Sequence, residues 1–205
     1  LVPDVIEEDW KKWWSDAKKE MKSDGHFQLP VKKTEPIVYH AEELSPVEKL
    51  MSNIRDAKGL KAQLAAASEL YKGTGDVENK DAVLDEVVAI LNSAIKNHLK
   101  LKPSLALEAV LLRDAIRTQP GVQSQEGELV ANDIFSKADN LAAVIEGLSA
   151  GKQKLALEAF RDAHPDTWVD TYLKLINETG FRLVGEIVQI LIDTGHFDKF
   201  KGNLT

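Results

Sequence analysis

Apolar residues return at intervals of three and four along almost the whole chain, which is the periodicity of helices that each bury one face. From Ile6 to Met21 they are Ile6, Trp10, Trp13, Trp14, Ala17 and Met21, with lysines and acidic residues filling the other side. That spacing predicts one amphipathic helix. Asp24-Gly25 is its stop, because glycine accepts the left-handed conformation that closes many helices. The stretch from Phe27 to Tyr39 holds Pro30 and Pro36 among Val31, Ile37 and Val38; the prolines oppose helix and predict an extended arm or short hairpin. Ser45-Pro46-Val47-Glu48 restarts helix with serine at the cap, proline at the first helical position and glutamate at the third, a complete capping box. A helix is expected from Pro46 towards Tyr71, nicked at Gly59 and ended by Gly73-Thr74-Gly75-Asp76. Further breaks are expected near Lys102-Pro103-Ser104, Gln119-Pro120-Gly121, Ala150-Gly151, His164-Pro165 and Thr179-Gly180.

The helical part contains two echoes. Leu105-Ala106-Leu107-Glu108-Ala109 recurs as Leu155-Ala156-Leu157-Glu158-Ala159, and Glu86-Val87-Val88-Ala89-Ile90-Leu91 as Glu186-Ile187-Val188-Gln189-Ile190-Leu191. The offsets are 50 and 100 positions. Either this is a repeat, or it is the coincidence that helices rich in Ala and Leu produce. As a repeat it would stack helix pairs, each covering its neighbour's apolar stripe. The expected fold is therefore all-α: an N-terminal Trp-bearing helix with an extended arm over residues 1–44, then a right-handed superhelix of antiparallel helix pairs, of the HEAT or tetratricopeptide kind, over residues 45–205.

Composition adds limits rather than direction. A chain of 205 residues buries about 70% of its unfolded surface, so a core needs no staples. At 43% hydrophobic and 29% charged, with no long uncharged apolar run, it reads as a water-soluble globular chain. The absence of cysteine excludes disulfides, thiolate nucleophiles and cysteine-held zinc, and fits the reducing cytoplasm. A net charge of −7 argues against a chain that clamps nucleic acid along its whole length. A first residue that is leucine and a last run Lys201-Gly202-Asn203-Leu204-Thr205 suggest a piece excised from something longer.

The sequence carries no catalytic signature. His26, His40, His98, His164 and His196 lie far apart, with no pair at the spacing of a helical zinc site. Gly73-Thr74-Gly75 lacks the following lysine and preceding strand of a phosphate loop. Glu7-Glu8-Asp9, Glu42-Glu43 and Asp85-Glu86 could each hold magnesium, but acidic residues at a helix start answer the helix dipole, and Glu86 belongs to a solvated helix face. No Gly-x-Ser-x-Gly elbow occurs. No catalytic residue, metal or cofactor is expected, and the chain reads as a non-enzyme.

What stands out is the N-terminal block. Trp10, Trp13 and Trp14 share a face, so the first expectation is that they pack the helix inward; the alternative leaves one or two exposed as anchors for a partner. Seven lysines between residues 11 and 33 face Asp16, Glu20 and Asp24, giving +4 there, an asymmetry suited to RNA, DNA or an acidic protein patch.

The same block carries a resemblance. Trp10-Lys11-Lys12-Trp13-Trp14 with Ala17-Lys18-Lys19, then Met21-Lys22, Asp24-Gly25-His26-Phe27, Leu29-Pro30 and Lys32-Lys33-Thr34-Glu35-Pro36-Ile37, resembles the N-terminal region of unusually large Gre-type transcript-cleavage factors, fusion proteins of chlamydiae and related bacteria in which a helical segment precedes the Gre domains. Arg55, with Ala57-Lys58-Gly59-Leu60-Lys61-Ala62, and Leu157 to Asp166 with Trp168 are similar to that segment too. Gre factors reach the catalytic magnesium of RNA polymerase with an acidic pair at the tip of a coiled-coil hairpin. Nothing here matches that hairpin, so the resemblance carries over no catalytic residue. It implies an accessory binding module of a Gre-like elongation factor, recruited to RNA polymerase, nucleic acid or another protein through the arm and the concave side of the stack. Trp13, Trp14, His26, Phe27, Lys32 and Lys33 are the residues expected to matter. The rival is a general protein-binding α-solenoid unrelated to transcription.

Overall fold

A computed structural model describes residues 10–30, 34, 36–73, 79–124 and 126–202, with Lys22 described in its backbone alone. These residues are all-α apart from one small sheet. In chain order they form α1 (Trp10–Ser23), β1 (Phe27–Gln28), β2 (Val38–Tyr39), α2 (Pro46–Asp56), α3 (Leu60–Gly73), α4 (Lys80–His98), α5 (Pro103–Arg117), α6 (Ala131–Phe135), α7 (Leu141–Glu146), α8 (Ala150–Ala163), α9 (Trp168–Ile176), α10 (Phe181–Asp193) and α11 (Phe197–Gly202). The chain divides into two compact units, Leu1–Lys80 and Asp81–Thr205.

In the N-terminal unit α1 closes at Ser23, just before the expected Asp24-Gly25 stop. The arm is a short ribbon: β1 and β2 pair antiparallel, Phe27 opposite Tyr39 and Gln28 opposite Val38. The capping box forms as its sequence demands. Ser45 Oγ accepts from the Glu48 amide at 3.2 Å, and Glu48 Oε2 accepts from the Ser45 amide at 2.8 Å. The long helix expected from Pro46 to Tyr71 is instead an α2–α3 hairpin. Ala57 leaves helix with ψ 122° and Gly59 takes φ +94°, a left-handed position natural to glycine. The reversal lets Met51 and Ile54 of α2 meet Leu60, Leu64, Ala67 and Leu70 of α3, all buried, which one straight helix this short could not arrange.

The C-terminal unit is built around α5 and α8. α5 meets α6, α7 and α8; α8 also meets α6, α7, α9 and α10; and α10 meets α9 and α11. The five-residue echo has one structural role in both places: Ala106 and Leu107 of α5, and Ala156 and Leu157 of α8, are all fully buried. The break expected at Ala150-Gly151 lies slightly earlier, with Ser149 as the cap of α8. Gln153 Nε2, from the first turns of α8, donates to the carbonyls of Glu146 and Leu148, each at 3.3 Å, and so ties the turn to the helix it precedes. The short helices α6 and α7 give too few residues for a periodic stripe to be seen in the sequence. α7 is started by Asn140, whose Oδ1 accepts from the Ala143 amide at 2.8 Å.

The core combines an aromatic cluster with an ionic network. Trp168 lies edge-on to Tyr172 at 5.2 Å, Phe160 edge-on to Phe135 at 5.2 Å, and the buried Tyr172 hydroxyl donates to the Leu157 carbonyl. Burial pushes that hydroxyl's pKa well above the ordinary tyrosine value. In the ionic network Arg113, wholly buried, donates from Nη1 to Asn92 Oδ1 at 3.0 Å and to the Leu129 carbonyl at 2.7 Å. Asn92 Nδ2 donates to Glu128 Oε1 at 2.5 Å, and Glu128 also pairs with Arg117. These bonds fasten the segment after α5 to α4 and α5.

Candidate functional site

The residues singled out in the N-terminal block fall into two clusters, both in the first unit. On α1, Trp13 and Trp14 stack with ring centroids 6.2 Å apart, and the Lys18 ammonium lies 5.5 Å from the Trp14 ring centre, within cation–π reach. Trp14 is half-buried. Trp10 and Trp13 are not: 40% and 43% of their surface stays in solvent. The expectation that the shared face packs inward is therefore corrected for these two. The physical reason is length. α1 meets β1, but a two-residue strand spans only about 7 Å, whereas Trp10 lies roughly 20 Å up the helix from Asp24. Ala17 and Met21, nearer the ribbon along α1, are half-buried, and a ribbon this short cannot cover the first turns. Lys11, Lys12, Lys18 and Lys19 are exposed on the same helix.

The second cluster is the ribbon. Tyr39 brings His26 and Phe27 together, stacking on the imidazole at 5.8 Å and meeting the Phe27 ring edge-on at 5.4 Å. The turn from α1 into β1 is held by Asp24, whose Oδ1 accepts from the His26 amide at 2.9 Å and from His26 Nδ1 at 3.0 Å. The His26 amide, then its ring, hold the Asp24 carboxyl below the usual aspartate range. Lys49 of α2 donates to the Asp24 carbonyl at 2.6 Å. Gly25 is buried where a Cβ would stand 1.8 Å from Glu43 Cγ, so the chain leaving the ribbon passes directly over it. Gln28 extends the tie to α2: its Nε2 donates to Ser52 Oγ at 2.6 Å and Asp56 Oδ2 at 2.7 Å, while its Oε1 accepts from His40 Nε2 at 3.1 Å. The ribbon is thus fastened to a helix that the capping box itself fixes.

Lys32 and Lys33 lie outside the described residues. Trp13 and Trp14 are brought together, as are His26 and Phe27. Tyr39, 64% exposed, and the Gln28 network were not singled out by the sequence, because no turn signature of a tight hairpin marks how the two strands pair. Ile37, just before the ribbon's second strand, and Val38 within it are exposed beside Tyr39. Among the described residues no group of three or more His, Cys, Asp or Glu side chains gathers as a metal site would need. No described helix is long and apolar enough to cross a membrane.

Comparison with known proteins agrees with the resemblance in the N-terminal block. Residues 1–44 match the GRAD helix-turn-helix domain. Over 194 residues the chain is 27% identical to the transcription elongation factor GreA of Chlamydia trachomatis serovar D; the match covers 92% of this chain and 26% of that relative. The chain thus spans about a quarter of the length of the protein it resembles. No solved structure matches. Residues 46–204, most of the chain, match the GreA-associated C-terminal domain, and the chain belongs to that family.

Proposed function

We propose that this chain is a non-catalytic binding module of a Gre-type transcription elongation factor, and that its N-terminal unit docks onto an acidic surface of RNA polymerase. The observation that carries this reading is the exposure of Trp10 and Trp13 on a helix that also displays four lysines. Tryptophan in water is a poor way to finish a monomer and a common way to anchor a partner. Trp13 is the anchor, its ring stacked on Trp14, over which Lys18 lies, and His26, Phe27, Lys32 and Lys33 contribute to the same binding. The link to transcription rests on the family match and on the name of the chlamydial relative.

The test is a binding titration of the chain against purified bacterial core RNA polymerase. Trp13→Ala is expected to weaken binding by about tenfold or more, the scale of a hot-spot residue, and Lys32→Glu with Lys33→Glu to weaken it likewise. Unchanged affinity in both variants overturns the proposal. Labelled RNA and DNA titrated alone form a second arm; binding there of equal strength would move the contact from protein to phosphate.

A further inference from the structure

We infer that α10 carries a self-docking face, on which a second copy of this chain lays its own α10 antiparallel. The inference concerns the C-terminal unit and is independent of the polymerase reading. α10 is apolar on two sides. Leu183, Ile187, Ile190 and Leu191 are buried within the unit. On the opposite side Phe181, Gly185 and Ile192 fall within about 40° of one another around the helix. Phe181 is 98% exposed and Ile192 46%, and a Cβ built on Gly185 would meet nothing within 4 Å. Val184 and Val188 border the stripe, half-buried. Single exposed apolar residues need no explanation, but here two stand on one side of the same helix, with Gly185 between them and the half-buried Val184 and Val188 alongside.

The charges beside the stripe say what fits it. Arg182 stands at its N-terminal end and Asp193 at its C-terminal end, both exposed, within about 20° of each other around the helix and about 16 Å apart along it. Arg182 makes no ion pair among the described residues. Opposite charges at the two ends of one flank are self-complementary under a two-fold axis perpendicular to the helix, the symmetry of an isologous dimer. An antiparallel second copy sets Arg182 near Asp193 at both ends, Phe181 over Ile192, and Gly185 near the axis, where the missing side chain lets the backbones approach. A parallel copy would set like charges together. The helix is only about 20 Å long and offers less than the roughly 800 Å² per partner of a standard interface, so the dimer is weak and needs concentration.

Sedimentation of the intact chain from about 10 to 500 µM tests this. The average mass is expected to rise from one chain towards two, and Phe181→Ser is expected to abolish the rise. Arg182→Asp alone and Asp193→Arg alone should each weaken pairing by about tenfold. An equimolar mixture of those two variants should restore it, because each chain then meets opposite charge at both ends. Loss of folding cannot produce that rescue. A single-chain mass throughout, or a mixture no tighter than its components, overturns the proposal. So does a chain that stays monomeric while its Phe181 face binds another protein.

Discussion

Arg113 shows how far a residue's surroundings outweigh its type. Nothing in the sequence distinguishes it from Arg117, the other arginine of α5, yet it has no solvent contact, and its guanidinium joins Asn92, the Leu129 carbonyl and Asp114. Arg117, one turn on, has its pKa lowered by burial and then by Arg113 nearby, so the two cations share the acidic charge of Glu128 and Asp114. Breaking a buried ionic network by removing one member is costly because its partners stay behind. Arg113→Leu is expected to destabilise the protein by about 3–5 kcal/mol, measured by urea unfolding. Asp114→Asn leaves the buried Arg113 cation facing a neutral amide, but Asn92 and the Leu129 carbonyl still accept from it, so the cost should be smaller, about 1–3 kcal/mol. Equal costs would mean that the buried cation is not what holds the segment after α5. The same contrast explains what was legible at this scale. Tryptophan and lysine announce themselves by type; a buried arginine or a tyrosine such as Tyr39 takes its role from a fold that brings distant residues together.

Among the elements, the start of α2 is the clearest case of sequence specifying structure, because a capping box is local: four consecutive residues contain both donors and both acceptors. The α2–α3 reversal was only half legible, since Gly59 marked the place but burial of two apolar faces made the nick a turn. The ribbon was legible as non-helical through its prolines, whereas its pairing was not. The box makes two separable predictions. Ser45→Ala removes the acceptor of the Glu48 amide and should cost about 1 kcal/mol. The Ser45 amide, then its hydroxyl, hold the Glu48 carboxyl below the ordinary value of 4.5. A depressed folded pKa contributes stability that is full above 4.5 and lost as pH falls through the folded value. Glu48→Gln should therefore flatten that part of the stability profile below 4.5. Ser45→Ala keeps the amide donor, so it should lower stability across the range and leave most of the acid slope in place. Thermal melts in a pH series separate the two, and an unchanged slope in Glu48→Gln would place the acid sensitivity elsewhere.

At the scale of the whole molecule, the all-α class followed from periodicity, whereas the surface that matters depended on where cover runs out, which no periodicity states: the same spacing that put three tryptophans on one face could not say that the ribbon beneath was too short to hide two of them. Charge is uneven on the same scale, −7 over the chain against +4 between residues 11 and 33, and this predicts how docking should respond to salt. A chain that is acidic overall is repelled by an acidic partner at long range and attracted by the lysine block only when close. Screening lengths are about 30 Å at 0.01 M salt, 10 Å at 0.1 M and 3 Å at 1 M. Salt added up to about 0.1 M removes the long-range repulsion while leaving contacts of a few ångströms largely intact, so affinity for polymerase should hold level or rise. Above that the contact charges are screened in turn, and affinity should fall. Reversing Lys32 and Lys33 should abolish the fall and leave the low-salt limb. A steep decline beginning at the lowest salt, as a uniformly basic binding face would give, would show that the acidic remainder of the chain takes no part in the encounter.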